Sequence, residues 1–298
     1  MATITSRYGI NRAVPFFDVE LDTDNELFLD SHRVRLENTP SPFAKQALDC
    51  VDSLLSTICH AVLSSDPAEK KRARNLLDHF SEPKETRLGL ARVGFDGHGG
   101  SEDVGARIWE TLTTDAEALL RIGVLKYLAE LPLVVNGIDR DITSDITTRT
   151  MFGPLSDFTA SMIAKFPEFT AAGELTTTVN RQVWDPASRS WTDRSVLLPV
   201  VDGAPLLLVP TRWAGKQLLM TSTRFYDKAV LDYTQREQAV LAGGRVQYPT
   251  KKTLVKQPGL KRGRHTNRIV TLRAHDEGSD LFAVFRSFVA ERYEKAAA

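Results

Sequence analysis

Apolar residues in the first half of the chain recur mostly at the three- and four-residue intervals of amphipathic helices. The longest run of this kind covers residues 41–63, and Pro42 suits the first turn of such a helix. Similar spacing predicts further helices at residues 67–80, 102–112 and 115–130. The first half is therefore predicted to be rich in helix.

Two stretches of the first half follow a strand pattern instead. Residues 15–29 alternate between apolar and acidic positions, which predicts a hairpin with one acidic face. The run from Leu131 to Val135 is short, apolar and β-branched, and it ends at Asn136-Gly137. This run predicts a buried strand that leads into a turn.

Beyond Pro167 the pattern changes mainly to strands. Residues 176–184 alternate and lead into a turn, and residues 197–201 and 205–209 flank Asp202-Gly203 as a second hairpin. The remaining predicted elements are a helix at residues 223–242, a strand at residues 266–272 and a helix at residues 279–293.

These elements predict a mixed α/β (α+β) fold. A helix-rich N-terminal part, residues 1–166, is expected to pack on a sheet-rich C-terminal part, residues 167–298, around one shared core. The composition supports a core of this size, because 42% of the 298 residues are hydrophobic and 26% are charged.

The sequence shows no sign of secretion or membrane insertion. The N-terminus lacks the apolar segment of a signal peptide, and no apolar run approaches the length of a membrane span. The two cysteines, Cys50 and Cys59, form neither a disulfide framework nor a zinc motif. We therefore expect a cytoplasmic protein without a membrane partner.

Formal net charge is zero, but the charges are unevenly distributed. Residues 239–275, here called the basic segment, contain no acid. Its candidate contacts to a nucleic acid are Lys251, Lys252, Lys256, Lys261, Arg262, Arg264 and Arg268. The acidic residues of the predicted N-terminal hairpin are either a solvated face, a partner for the basic segment, or a metal site. As a metal site, Asp18, Asp22 and Asp24 would favour Mg²⁺ or Mn²⁺.

A second group of candidates follows the predicted strand at Leu131. Residues 139–149, here called the polar segment, contain three possible catalytic carboxylates, Asp139, Asp141 and Asp145. Ser144 and Thr147 could bind a phosphate at the start of a helix, although Thr143 or Ser144 could equally be only a helix cap. The polar segment is expected to lie near the glycine-rich residues 94–100.

That glycine-rich stretch supplies Gly97, Gly99 and Gly100 as candidate phosphate ligands, since glycine lets backbone N–H groups approach an anion. It is neither a Walker loop nor a GxGxxG motif, and a flexible connector explains it equally well.

The stretches LGLARVGFDGHGG and GIDRDITSDITTR resemble an uncharacterised bacterial protein family over most of the chain. The family has no established activity, so the resemblance implies no catalytic residues.

Three functions fit these features. The first is a metal-dependent nuclease or phosphodiesterase of a bacterial defence or regulatory system. The second is a non-catalytic nucleic-acid-binding subunit that assembles with other proteins, and the third is a protein that binds a small nucleotide. The absence of GxSxG and HExxH motifs argues against a serine hydrolase or a zinc protease of the common types.

Overall fold

The computed structural model describes residues 2–23, 25–80, 83–89, 101–171 and 176–297. Helix predominates in the first part of the chain, and its elements are α1 Ile4–Tyr8, β1 Phe28–Leu29, α2 Ser31–Glu37, α3 Phe43–Leu63, α4 Pro67–Leu76, α5 Ser101–Thr113, α6 Glu117–Arg121, α7 Leu131–Val134, α8 Arg140–Thr150 and α9 Phe152–Lys165. Short 3₁₀ turns occur at Leu77–His79, Lys84–Thr86, Leu128–Glu130 and Pro167–Phe169.

The long strands lie in the second part of the chain. Its elements are β2 Thr176–Asp185, β3 Ser190–Val201, β4 Ala204–Pro205, β5 Ala214–Gly215, α10 Ser222–Phe225, a π-helical turn Tyr226–Val230, α11 Leu231–Glu237, β6 Val240–Ala242, β7 Arg245–Gln247, α12 Lys251–Leu254, α13 Arg264–Asp276 and α14 Leu281–Ala297. The predicted mixed α/β class, with a helix-rich part packed on a sheet-rich part, is confirmed.

Helix α3 lies at the centre of the hydrophobic core. Most of its apolar face is buried, with Val51 and Leu54 completely so, as its periodicity predicted. The same cluster contains Trp184 of β2 and Phe285 of α14, so residues from both parts of the chain share one core. The indole Nε1 of Trp184 also donates a 2.9 Å hydrogen bond to Ser53 Oγ on α3.

The three-stranded antiparallel sheet has the order β2-β3-β4. Strands β2 and β3 pair along their whole length, from Thr176 opposite Pro199 to Asp185 opposite Ser190. The turn into β4 is Asp202-Gly203, with φ angles of 51° and 77°. Positive φ at both positions is the geometry of a two-residue hairpin turn. The predicted β2–β3 hairpin is confirmed by its pairing, and the second hairpin is confirmed at its turn, but its second strand ends at Pro205 instead of residue 209.

The predicted N-terminal hairpin is wrong. Phe16 forms a bridge with Pro210, Glu20 forms one with Thr3, and β1 pairs with the distant β5. The alternating apolar residues of this stretch pack in a second hydrophobic cluster with α9 instead of facing a partner strand next to them in sequence. The alternating pattern of residues 15–29 therefore indicates a segment that forms β-bridges, but it does not show that the partners of this segment lie elsewhere in the chain.

The predicted strands at residues 131–135 and 266–272 are also wrong, because both lie in helices. The first forms the single turn α7, with Pro132 near its start, where proline is tolerated. The carbonyl oxygens of residues 132–134 accept hydrogen bonds from Arg264 Nε (2.8 Å), Asn267 Nδ2 (2.8 Å) and Arg268 Nη1 (2.6 Å) on α13. These tertiary contacts stabilise both helices, although the apolar run and the β-branched run each favour strand locally.

The helix predicted for residues 223–242 is too long. The helical run covers residues 222–237, and the chain then forms the β6–β7 hairpin around Gly243-Gly244. The two glycines have φ angles of 59° and 75°, which suits a hairpin turn rather than a helix end alone.

Candidate functional site

The polar segment forms the first turns of α8, a helix in the middle of the fold. Its cap is Asp139, whose Oδ1 accepts hydrogen bonds from the backbone N–H groups of Asp141 (3.1 Å) and Ile142 (3.0 Å). The expectation that Thr143 or Ser144 caps this helix is therefore wrong. The backbone donors that an anion would use at this end are already bound to the Asp139 carboxylate.

The hydroxyl groups of α8 are buried and satisfied within the protein. Ser144 Oγ accepts a 2.9 Å hydrogen bond from the backbone N–H of Leu29 in β1. Thr147 donates to the carbonyl of Thr143 at 2.7 Å, and Thr148 does the same to the carbonyl of Ser144 at 2.8 Å. This pairing lets a polar helix pack in the core. A phosphate could reach Ser144 or Thr147 only if these interactions were broken.

Asp141 of the polar segment lies beside Gly89, whereas the glycine-rich residues 94–100 lie outside the described residues. Asp139 is exposed, and Asp141 and Asp145 are partly buried. A Cβ built on Gly89 would lie 3.6 Å from Asp141 Oδ1. Further along the chain, Arg107 Nη1 of α5 donates a 3.4 Å hydrogen bond to the carbonyl of Gly137. Candidates Gly97, Gly99 and Gly100 lie outside the described residues.

Two arginines border the exposed end of α8. Arg140 forms an ion pair with Glu26 at 2.9 Å, and its guanidinium lies 4.5 Å from the centre of the Phe28 ring. Arg264 donates to the carbonyl of Ile138 at 2.6 Å. Burial lowers the pKa of Arg264, and the carboxylate of Asp139 opposes that shift. Arg264 therefore lies close enough to the Asp139 carboxylate for the two charges to interact.

The acidic residues proposed as metal ligands are dispersed or already engaged. Asp18 Oδ1 accepts a 2.8 Å hydrogen bond from the backbone N–H of Thr5, and its Oδ2 accepts from the hydroxyl of that residue. Asp22 is exposed, and Asp24 lies outside the described residues. Within the part of the chain that the structure describes, no group of three or more His, Cys, Asp and Glu side chains is arranged to hold a metal ion.

The basic segment divides into inward-facing and outward-facing cations. Arg268 is 3% exposed and forms a 2.8 Å ion pair with Asp115 in addition to its bond to α7. Arg262 pairs with Asp227 at 2.7 Å, and Lys251 pairs with Asp232. Arg264 and Arg268 are thus bound to the carbonyls of the fold, whereas Arg262 is exposed and its charge is compensated only by a surface ion pair.

The other candidates of the basic segment face solvent. Lys252, Lys256 and Lys261 are exposed, and so is Arg245 of β7. None of these four forms an ion pair with an acid in the described ranges of the chain, whereas Asp227 and the other acids of α11 and the π-helical turn already have cationic partners. These four residues, named here the basic surface, therefore retain uncompensated charge.

A buried polar cluster between α2 and α14 was not expected from the sequence. The Glu130 side chain is fully buried, and its Oε2 accepts from the backbone N–H groups of Lys126 (2.7 Å) and Tyr127 (2.9 Å), while Oε1 accepts from Arg286. Burial raises the pKa of Glu130, and Arg286 opposes the shift. His32 is 3% exposed. No pattern near His32 or Glu130 signals such a cluster, because its members are far apart in sequence.

Residues 9–221, more than half of the chain, match the model of a protein family described as a domain of unknown function, DUF8370. The chain belongs to this family. The DUF8370 range includes α8 and the whole β2-β3-β4 sheet but ends before the basic surface. No curated protein and no solved structure matches the chain. The resemblance to an uncharacterised family is confirmed, and its bacterial origin stays an expectation.

The length and the polarity of the helices bear on whether any of them could cross a membrane. Among the residues that the structure describes, none of the helices is both long enough and apolar enough to cross a bilayer.

Proposed function

We propose that this protein binds a nucleic acid through the basic surface of its C-terminal part. The observation that carries the proposal is the separation of the basic segment into two sets. One set pairs with acids and carbonyls of the fold, and the other set, Lys252, Lys256, Lys261 and Arg245, is exposed without an acidic partner among the described residues.

The electrostatic reason lies in the local charge balance. Asp227, Asp232 and Glu237 border the basic segment, and each forms an ion pair with a cation of that segment. The remaining lysines have no local counter-charge, although the whole chain has a formal net charge of zero. Exposed cations of this kind gain most by contact with phosphates, since binding releases counterions from the nucleic acid.

The test compares two triple variants by filter binding at about 50 mM and 200 mM salt. The first is Lys252→Ala, Lys256→Ala, Lys261→Ala. The control, on α4, is Lys71→Ala, Arg72→Ala, Arg74→Ala, which removes the same charge from exposed residues outside the basic surface.

Loss of three phosphate contacts lowers the slope of log affinity against log salt by about 2.7, and it weakens binding to all sequences alike. We expect this result for the first variant and little change for the control. Equal losses in both variants would refute the proposed role of the basic surface. No binding by the wild type at low salt would refute nucleic-acid binding and favour binding of a small nucleotide.

Metal-dependent phosphodiester cleavage is the second candidate function. The specific observation in its favour is the position of Asp141 of the polar segment beside the backbone of Gly89. In this reading, Asp139, Asp141 and Asp145 are the catalytic carboxylates. Because they do not form a metal-holding group by themselves, Mg²⁺ or Mn²⁺ would bind together with the phosphates of the substrate and would activate a water molecule. Incubation of a labelled oligonucleotide with either metal should give cleavage that Asp141→Asn abolishes. Intact oligonucleotide in both cases would leave the protein as a binding subunit.

A further inference from the structure

The β6–β7 hairpin projects from the fold without being covered by any other described element. Leu241 is opposite Val246, and Val240 is opposite Gln247. The exposed fractions are 76% for Leu241, 58% for Val240 and 55% for Val246. A two-stranded hairpin is only marginally stable alone, and exposed apolar side chains on it indicate a contact surface.

The two faces of the hairpin carry different chemistry. Because directly paired residues point to the same face, Leu241 and Val246 share an apolar face. The other face is mixed and carries Arg245 and Gln247 beside Ala242 and Val240. A guanidinium and an amide are the groups that recognise guanine and adenine edges, and an apolar face suits thymine methyl groups.

The base of the hairpin is firmly held. Gln235 Nε2 of α11 donates a 2.8 Å hydrogen bond to the carbonyl of Pro249, and Gln238 and Gln257 exchange amide hydrogen bonds of 2.9 Å. Lys252 and Lys256 are exposed immediately after this anchor. The hairpin is thus a fixed projection with phosphate-binding side chains beside its base.

We infer that the β6–β7 hairpin enters the major groove of double-stranded DNA, turn first, with Arg245 and Gln247 facing one wall and Leu241 and Val246 facing the other. This inference rests on the proposed nucleic-acid binding and names its ligand. Three residues in each strand give a length of about 10 Å, which matches a groove roughly 8.5 Å deep and 12 Å wide. Insertion in this orientation uses both exposed faces at once.

Duplex DNA fits better than the other nucleic acids. The major groove of duplex RNA is too deep and narrow for side chains to read. Single strands are bound mainly by stacking of bases on aromatic rings, and residues 239–275 contain one aromatic residue, Tyr248.

The experiment measures fluorescence anisotropy with labelled duplex DNA, duplex RNA and single-stranded DNA of equal length. The variant is Leu241→Ser with Arg245→Ser, and because no residue of the hairpin is buried, we expect the protein to remain folded. A circular dichroism melt checks this point. The control is Arg189→Asn at the exposed turn between β2 and β3, where asparagine tolerates the φ angle of 52°.

We expect the wild type to prefer duplex DNA, and the hairpin variant to bind duplex DNA about tenfold more weakly. Its affinity for the other two ligands should fall only by the smaller loss of one phosphate contact, because Arg245 also belongs to the basic surface. Preference for either other ligand, or an unchanged affinity of the variant for duplex DNA, overturns the inference. If the lysine triple variant still binds more weakly than the wild type in that case, the proposed function stands without the hairpin inference. If the wild type binds none of the three ligands, the proposed function itself fails.

Discussion

Arg268 offers the sharpest test of which cations of the basic segment belong to the fold. Its guanidinium donates to the carbonyl of Val134 and to Asp115 Oδ2 from a side chain that is 4% exposed. The change Arg268→Met keeps most of the side-chain length and removes both hydrogen bonds. The carbonyl of Val134 is then left buried without its donor.

The expected loss follows from these contacts. An unsatisfied buried carbonyl costs about 1–3 kcal/mol, and hydrogen bonds from a charged donor contribute roughly 1.5–3 kcal/mol. Part of this is offset because methionine avoids the cost of burying a charge, so we expect about 3 kcal/mol of lost stability. For a chain of 298 residues, the entropy of unfolding is roughly 0.6 kcal/mol per kelvin, and the melting temperature should fall by about 5 °C.

The assay is urea unfolding followed by tryptophan fluorescence, with Arg262→Met as the matched control. The Arg262 side chain is 55% exposed, and its ion pair with Asp227 is worth at most about 1 kcal/mol. Binding to duplex DNA is measured in parallel and should be unchanged for folded Arg268→Met. A smaller loss of stability than in the control, or weaker DNA binding at unchanged stability, would show that Arg268 acts at a ligand rather than in the fold.

Two further predictions concern buried polar side chains. Burial lowers the pKa of His32, the Asp30 carboxylate opposes the shift, and Arg35 and Arg286 reinforce it. The unfolded state therefore binds more protons than the folded state. The contribution of neutral His32 to the free energy of unfolding should be complete above about pH 6.5, and the free energy should fall by up to about 1.4 kcal/mol per pH unit as the pH drops toward the folded-state pKa. Urea titrations at several pH values should show a shallower fall for His32→Gln, and parallel curves would contradict the reasoning. Ser144→Ala should cost about 1–2 kcal/mol, since the buried N–H of Leu29 loses its acceptor, whereas wild-type stability in a thermal melt would mean that water replaces the hydroxyl.

The elements that the sequence predicted well are those whose signal is local. Helix α3 has a regular apolar face over many turns, and the β2–β3 and β3–β4 hairpins have turn residues between strand patterns. The run at Leu131 is too short for its periodicity to distinguish strand from helix. The β-branched run at residues 266–272 becomes helical because α13 side chains bind the carbonyls of α7, and that contact cannot be read from either stretch alone.

The candidate site shows the same limit. The sequence identified a basic segment but could not tell Arg268, which faces a carbonyl 134 residues away, from Lys252, which faces solvent. It also singled out α8 for its density of polar groups. There the threonine hydroxyl groups donate along their own helix, Ser144 accepts from β1, and Asp139 rather than Ser144 is the cap.

The contact between α7 and α13 also has a consequence for how the chain is made. On the ribosome, Arg268 is added 134 residues after Val134, which takes roughly 7–27 seconds, and the Val134 carbonyl lacks its donor throughout that time. A nascent chain that has just completed the DUF8370 range has also not yet acquired Phe282 and Phe285 of the core. We therefore expect the region that defines the family to remain unfinished, and open to chaperones, until α13 and α14 emerge.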